Sequence, residues 1–230
     1  GFVENNGQIK DLAGNVNDKV KFIFYGENEI VLFRNSGLSF IFHELKQNKN
    51  YVKDSPLLNS TKLSHINVNG RLSIYRKDID IIHCNEIQIK GLDFNNKKYH
   101  YYLSKDADNR ILACSYNKIK YENIYDSIDL IFYIRNNKLV FDFFVKPGGN
   151  FDDIKFDLKD FKDIVRNNRD IIINDKYFSL LISKLKSIQS KNEVNSKFLI
   201  ENDCLSFQVP NADNTKLLRI DPELNFSTYL

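Results

Sequence analysis

Short runs of β-branched and aromatic residues, cut by turns rich in Asn, Asp and Gly, recur along the whole chain. That pattern predicts strands rather than helices. Val20–Tyr25 reads as one strand. Glu29–Phe33 and Leu38–Phe42 flank Arg34-Asn35-Ser36-Gly37, where Asn and Gly tolerate the positive φ of a hairpin turn. Lys46–His65 is polar and rich in Asn, Lys and Ser. It is expected to be a long connection, and a domain boundary in the first half would fall there.

Strands are expected again at Leu72–Arg76, Ile79–Cys84, Glu86–Lys90, Lys98–Leu103 and Ile111–Tyr116, with Ser104–Arg110 as a charged turn. Ile87 and Ile89 alternate with Glu86, Gln88 and Lys90, the mark of a strand with one wet face. The clearest hairpin joins Asp129–Ile134 to Leu139–Val145 through Arg135-Asn136-Asn137-Lys138. Two Asn residues can take the left-handed positions of a tight turn. Leu139, Phe141, Phe143 and Val145 then share one face, with Asp142 on the other between Val140 and Phe144. A four-residue turn sets Ile134 against Leu139, Asp129 against Phe144, and Asp142 near Ile131. Lys146-Pro147-Gly148-Gly149 ends the second arm, because Pro has no ladder donor. Further strands are predicted at Asp153–Leu158, Asp170–Asn174, Phe178–Ser183, Lys197–Ile200, Cys204–Val209 and Leu217–Ile220, with a weak helical look over Ser183–Gln189. Ten or more short strands with close turn signals predict an all-β fold of packed antiparallel sheets, a sandwich or a partly closed barrel with little helix.

At 230 residues the chain is either one large β domain over 1–230 or two subdomains, 1–65 and 66–230. A hydrophobic content of 42% excludes disorder as the main state. The net charge of +3 is the difference between 33 basic and 30 acidic residues that alternate in sign. No basic stripe interleaved with aromatics is present, which argues against nucleic acid. No apolar stretch approaches the ~20 residues of a membrane-spanning helix, and no basic amphipathic helix suits a membrane surface. Gly1 in place of Met is expected to mark a processed or excised segment.

Three stretches carry a family resemblance. Phe2-Val3-Glu4-Asn5-Asn6-Gly7-Gln8 resembles an F-[IV]-E-N-x-G-Q opening. Tyr121 to Leu130, which holds Tyr125, Ile128 and Asp129, continues through Tyr133 and Phe141-Asp142-Phe143 to Pro147-Gly148-Gly149. It is similar to Y-x-N-[IL]-Y-P-G-I-D-L…Y-D-F-x-V-x-P-G-[GA]. Arg219-Ile220-Asp221-Pro222-Glu223-Leu224 and Phe226–Leu230 resemble L-x-I-D-P-x-L-x-[YF]-S-T-Y-L. Together they resemble the N-terminal domain of large secreted cell-surface proteins of the Bacteroidetes, which precedes β-propeller or β-sandwich repeats and often a type IX secretion signal. The resemblance spans the chain, implies export with removal of a signal peptide, and implies that 217–230 leads toward a following repeat region. It carries no catalytic mechanism. Asp126-Ser127 stands where the family has Pro-Gly, and Asp-Ser also suits a type I turn. The usual G-A-N stretch is missing between Cys84 and Ser104.

Glu4, Asn5, Gly7 and Gln8 form a polar cluster that either organises the start of the first strand or holds a ligand. Asp126, Asp129 and Asp142 offer carboxylates for Ca²⁺ or for a glycosidase-type acid pair, with Asp129 and Asp142 approaching each other on one edge of the hairpin, or else a buried, hydrogen-bonded structural role for these acids with Arg219 or Lys138. Tyr99, Tyr101 and Tyr102 are candidate glycan contacts, unless they are cross-strand core. Cys84, Cys114 and Cys204 lack metal spacing. They allow one disulfide at most, or three buried thiols. His43, His65, His83 and His100 have no metal-binding spacing, and His83 beside Cys84 would point to the opposite face of a strand. No cofactor is implied. The expectation is a non-catalytic extracellular structural or adhesive module that meets other domains or subunits of a surface assembly. A glycan-binding or glycan-acting domain is the alternative.

Overall fold

In the computed structural model the described residues are 1–11, 13–26, 29–47, 70–86, 88–102, 110–166, 169–176 and 178–228. They form an antiparallel sheet nearly closed into a barrel. The strands are β1 (Phe2–Glu4), β2 (Val20–Tyr25), β3 (Glu29–Arg34), β4 (Gly37–Gln47), β5 (Gly70–Ile81), β6 (Ile89–Tyr102), β7 (Arg110–Tyr125), β8 (Ile128–Arg135) and β9 (Lys138–Val145). After a single 3-10 turn at Phe151–Asp153 come β10 (Phe156–Asp157), β11 (Asp163–Arg166), β12 (Ile171–Asn174), β13 (Phe178–Gln189), β14 (Asn192–Val194), β15 (Lys197–Glu201), β16 (Cys204–Gln208) and β17 (Leu218–Thr228).

Two branches meet on β7. Its first half carries β1 on one edge, and β1 leads through β2, β3, β4 and β5 to β10, β16 and β15. Its second half carries β8 on that same edge, and β8 leads through β9 and β17 to β13, β12 and β11. β6 covers the other edge of β7, and β14 folds back on the end of β13. The inward faces meet through phenylalanines. Phe33 abuts Phe132 edge-on at 5.0 Å, Phe42 stacks on Phe178 at 4.1 Å, and Phe143 touches Phe156 and Phe207 at 5.9 and 5.8 Å. Each such ring contributes about 1.5–3 kcal/mol of burial energy. One hydrophobic core runs from Phe2 to Leu224 and takes in residues from both candidate subdomains.

The β8–β9 hairpin has the register its sequence predicts: Asp129 faces Phe144, Ile131 faces Asp142, and Ile134 faces Leu139. Asn136 and Asn137 close it at φ 51° and 63°. Elsewhere the boundaries differ. Gly70–Ile81 is one strand, not two broken at Lys77-Asp78. Its charges are answered in place, Lys77 by Asp175 at 2.9 Å and Asp78 by Arg76 at 2.9 Å. The predicted strands at 86–90 and 98–103 contribute Ile89, Lys90 and Lys98–Tyr102 to one strand, β6, which bulges between Phe94 and Lys98. Glu86 and Gln88 precede it. Ser183–Gln189 is not helical but the second half of β13, kinked at Lys184 with φ 55°. In the β3–β4 turn it is Gly37, not Asn35, that takes positive φ, and a Cβ there would lie 2.2 Å from the Ile79 carbonyl oxygen. Lys46 and Gln47 belong to β4, while most of the predicted 46–65 connection, with His65, and Ser104–Asn109 lie outside the described residues.

Candidate functional site

The N-terminal motif builds a loop. Phe2 is fully buried between β2 and β7. The Asn5 carboxamide then organises the chain that follows. Its Oδ1 accepts from the Gly7 and Ile9 N–H groups at 3.2 and 3.1 Å. Its Nδ2 donates to the Asn17 and Val20 carbonyls, both at 2.9 Å. Gly7 sits at φ +112°, a conformation L side chains avoid. Asn6 ties the loop to β7 through the Leu112 carbonyl at 2.9 Å, and the Gln8 side chain returns to the Glu4 carbonyl. Glu4 accepts from the Tyr116 hydroxyl at 2.7 Å, which with burial pushes that phenol up to about 12.

The acids of the hairpin go to separate networks. Asp129 is buried, yet the Asn123 N–H (2.9 Å), Lys146 (2.8 Å) and Lys120 (2.9 Å) outweigh the cost of burial and hold its carboxyl below the usual carboxylate range. Asp142 lies beside Arg219, whose Nε donates to its Oδ2 at 2.9 Å. Ile220 faces Phe143 and Glu223 faces Val140, so Asp221 stands opposite Asp142 across the β9–β17 seam. Arg219 also donates to Asp221 at 2.8 Å, and Arg135 reaches Asp221 at 3.1 Å. The Tyr133 hydroxyl accepts from Arg135 at 2.5 Å and from Arg219 at 3.3 Å. Asp142 is 4% exposed, and among the described residues its Oδ1 has no hydrogen-bond partner. Burial first, then the charge of Asp221, push its carboxyl up to about 6 against the pull of Arg219 and Tyr133. The acid pair of this sheet is therefore Asp142/Asp221, not Asp129/Asp142. Arg219-x-Asp221, two like-facing residues on one strand, was its signal in the sequence.

The remaining motif residues fasten turns and ends. Tyr125 donates to the Ile82 carbonyl at 2.7 Å and accepts from the Lys155 N–H at 3.2 Å. Ile128 is fully buried in the core. Ser127 occupies φ 61°, so the Asp126-Ser127 turn needs positive φ at its third position as a type II turn does, not the type I geometry expected. Lys146 N–H bonds the Ser127 carbonyl at 2.8 Å, and Gly148 N–H bonds the Asn214 carbonyl at 3.0 Å after Pro147. Pro222 is buried in β17, and this strand lies between β9 and β13. The segment Leu218–Thr228 is thus an interior strand of the sheet.

A residual void of about 20 Å³ is lined by apolar side chains such as Leu38, Phe132 and Leu180, which offer a water no hydrogen bond. A polar cleft of about 230 Å³ opens beside His83, Asn85, Tyr125, Asp126, Asp153 and Lys155. There Asn85 donates to Asp126 at 3.1 Å. Among the described residues no three His, Cys, Asp or Glu side chains gather as metal ligands. Cys84, Cys114 and Cys204 are free thiols, and burial raises that of Cys84. His83 is exposed in a turn at φ 54° rather than on a strand. Tyr99 pairs with Ala113 and Tyr101 with Ile111, whereas Tyr102 pairs with Arg110. Alternation therefore sends Tyr102 to the face opposite the other two. The hydroxyls of Tyr101 and Tyr25 lie 3.2 Å apart, a partner the sequence did not suggest.

No curated protein and no solved structure matches this chain. One family does match, over residues 2–223, nearly the full length, taking in the first two motifs and Arg219–Glu223 of the third. The chain belongs to the family described as Domain of unknown function (DUF7948).

Proposed function

We propose that this domain is a non-catalytic extracellular module of a bacterial cell-surface protein, working by contact with neighbouring domains or subunits. The observation that carries the reading is the fate of the carboxylates. Asp129 is held by two lysines and a backbone N–H, and Asp142 and Asp221 by arginines. These acids are committed to joining β7, β8, β9 and β17, where a general acid or base would have to reach a substrate. The resemblance of the three motifs to domains of secreted surface proteins supports the location.

A membrane-impermeant cross-linker applied to intact cells of the source bacterium, followed by mass spectrometry, tests both parts. The expected result is cross-links from surface lysines such as Lys159 or Lys184 to other surface polypeptides. Labelling of the domain only after lysis would overturn the location. Labelling on intact cells without a link to any other domain or subunit would overturn the contact role.

A further inference from the structure

Among the described residues, a patch built from three separate elements has no part in the core or in the charge networks. Tyr25 ends β2 and is 45% exposed, although Phe24 before it is buried. Tyr99, on β6, is 36% exposed. Tyr101, half-buried, places its hydroxyl 3.2 Å from that of Tyr25. Gln8, from the N-terminal motif loop, lies within reach of the Tyr101 hydroxyl. The Asn5 and Asn6 bonds described above fix that loop, so the Gln8 amide is held rather than free. None of the four side chains carries a charge at neutral pH, in a chain of which 27% is charged.

We infer that Gln8, Tyr25, Tyr99 and Tyr101 form a binding platform for a neutral carbohydrate chain. Exposed phenol rings offer flat π-faces at low side-chain entropy cost, and the axial C–H faces of a pyranose are their apolar complement. The paired Tyr25 and Tyr101 hydroxyls supply donor and acceptor at the rim, where sugar hydroxyls need them, and the Gln8 amide, bonded to the Asn6 N–H and the Glu4 carbonyl, steadies the Tyr101 side of the patch. An anionic ligand would require a cation in the patch, and the four residues supply none. A docked protein would need an apolar centre well beyond three rings that each end in a hydroxyl. The platform adds a carbohydrate ligand to the polypeptide contacts proposed above, and rests on that reading only for its extracellular setting.

The test uses the purified domain on an array of neutral linear oligosaccharides of glucose, mannose, galactose and N-acetylglucosamine, with calorimetric titration of any hit. Binding to at least one of them is expected. Tyr25→Ala should weaken it at least tenfold. Tyr101→Phe, which keeps the ring and removes the hydroxyl, should weaken it several-fold. Tyr102→Ala, on the opposite face, should leave it unchanged. Thermal melts establish that each variant is folded. Absence of binding to every neutral glycan, binding undiminished in folded Tyr25→Ala, or preference for a peptide over every sugar would overturn the platform. None of these outcomes alters the result of surface cross-linking, so the two readings fail separately.

Discussion

Asp142 and Asp221 face each other across the β9–β17 seam and share one guanidinium, that of Arg219, at 2.9 and 2.8 Å. Like charges directly opposite on neighbouring strands destabilise a sheet. Two further groups moderate this pair: Arg135 on the Asp221 side and the Tyr133 hydroxyl bonded to both arginines. The arrangement is neutral when both acids are ionised, and among the described residues one buried carboxylate oxygen of Asp142 has no hydrogen-bond partner.

Burial of Asp142, with the charge of Asp221 facing it, makes the fold pH-sensitive. The folded-state value of Asp142, about 6, lies above its ordinary 3.8, so the native state binds a proton that the unfolded chain releases. The resulting stability is fully present below about pH 4 and is lost as pH rises through about 6. Its size is on the order of 2–3 kcal/mol. Asp129 has the opposite sign: its contribution is present above its ordinary value and fades as pH falls through its lower native one, outside this window. Urea titrations of the wild type are expected to give higher stability at pH 5 than at pH 7.5. Asp142→Asn should remove most of that difference, and an unchanged difference in the variant would contradict the assignment.

Arg219→Met tests the shared guanidinium. Asp221 keeps Arg135, but Asp142 loses its cation, and breaking a buried pair from one side costs about 3–5 kcal/mol. The loss should be largest at pH 7.5 and smaller at pH 5, where Asp142 takes up a proton. Equal losses at the two values would show that Arg219 acts through packing alone.

The contrast between the two acid pairs shows what the sequence can disclose. The Asp129–Asp142 geometry was legible because the hairpin is local: two Asn residues close it and alternation fixes its register. The Asp142–Asp221 pairing joins residues far apart in the chain. Only the topology that places β17 beside β9 creates it. Local signals also failed where charges sit within strands, as at Lys77-Asp78, since their partners Asp175 and Arg76 decide whether the strand continues. The β13–β14 hairpin escaped notice because Ser190 and Lys191 turn it at φ 50° and 69° without Asn or Gly. Tyr25 was hidden in the same way, at the exposed end of a strand whose other aromatics are core.

Ser127 pays for its left-handed φ of 61°, which costs an L residue about 1–2 kcal/mol relative to glycine's free choice. Ser127→Gly is therefore expected to stabilise the domain by about 0.5–1 kcal/mol once the added freedom of the unfolded chain is subtracted. Thermal or urea unfolding measures it. Destabilisation by the glycine would show that the Ser127 side chain holds the turn by a contact stronger than the backbone strain.

Tyr125 binds two strands' ends through one oxygen, donating to Ile82 O at 2.7 Å and accepting from Lys155 N–H at 3.2 Å. Its ring is buried, and burial pushes the phenol far above its usual range, so it stays protonated as a donor at any physiological pH. Tyr125→Phe keeps the ring but strands a half-buried carbonyl and N–H, for a loss of about 1–3 kcal/mol. Amide exchange should localise the damage: the Ile82 and Lys155 N–H groups, with Ile82 N–H bonded to the Lys155 carbonyl at 2.9 Å, are expected to exchange faster while the β8–β9 ladder is unchanged. Uniform acceleration across both would instead mark Tyr125 as a determinant of global stability rather than a clasp at this corner of the sheet.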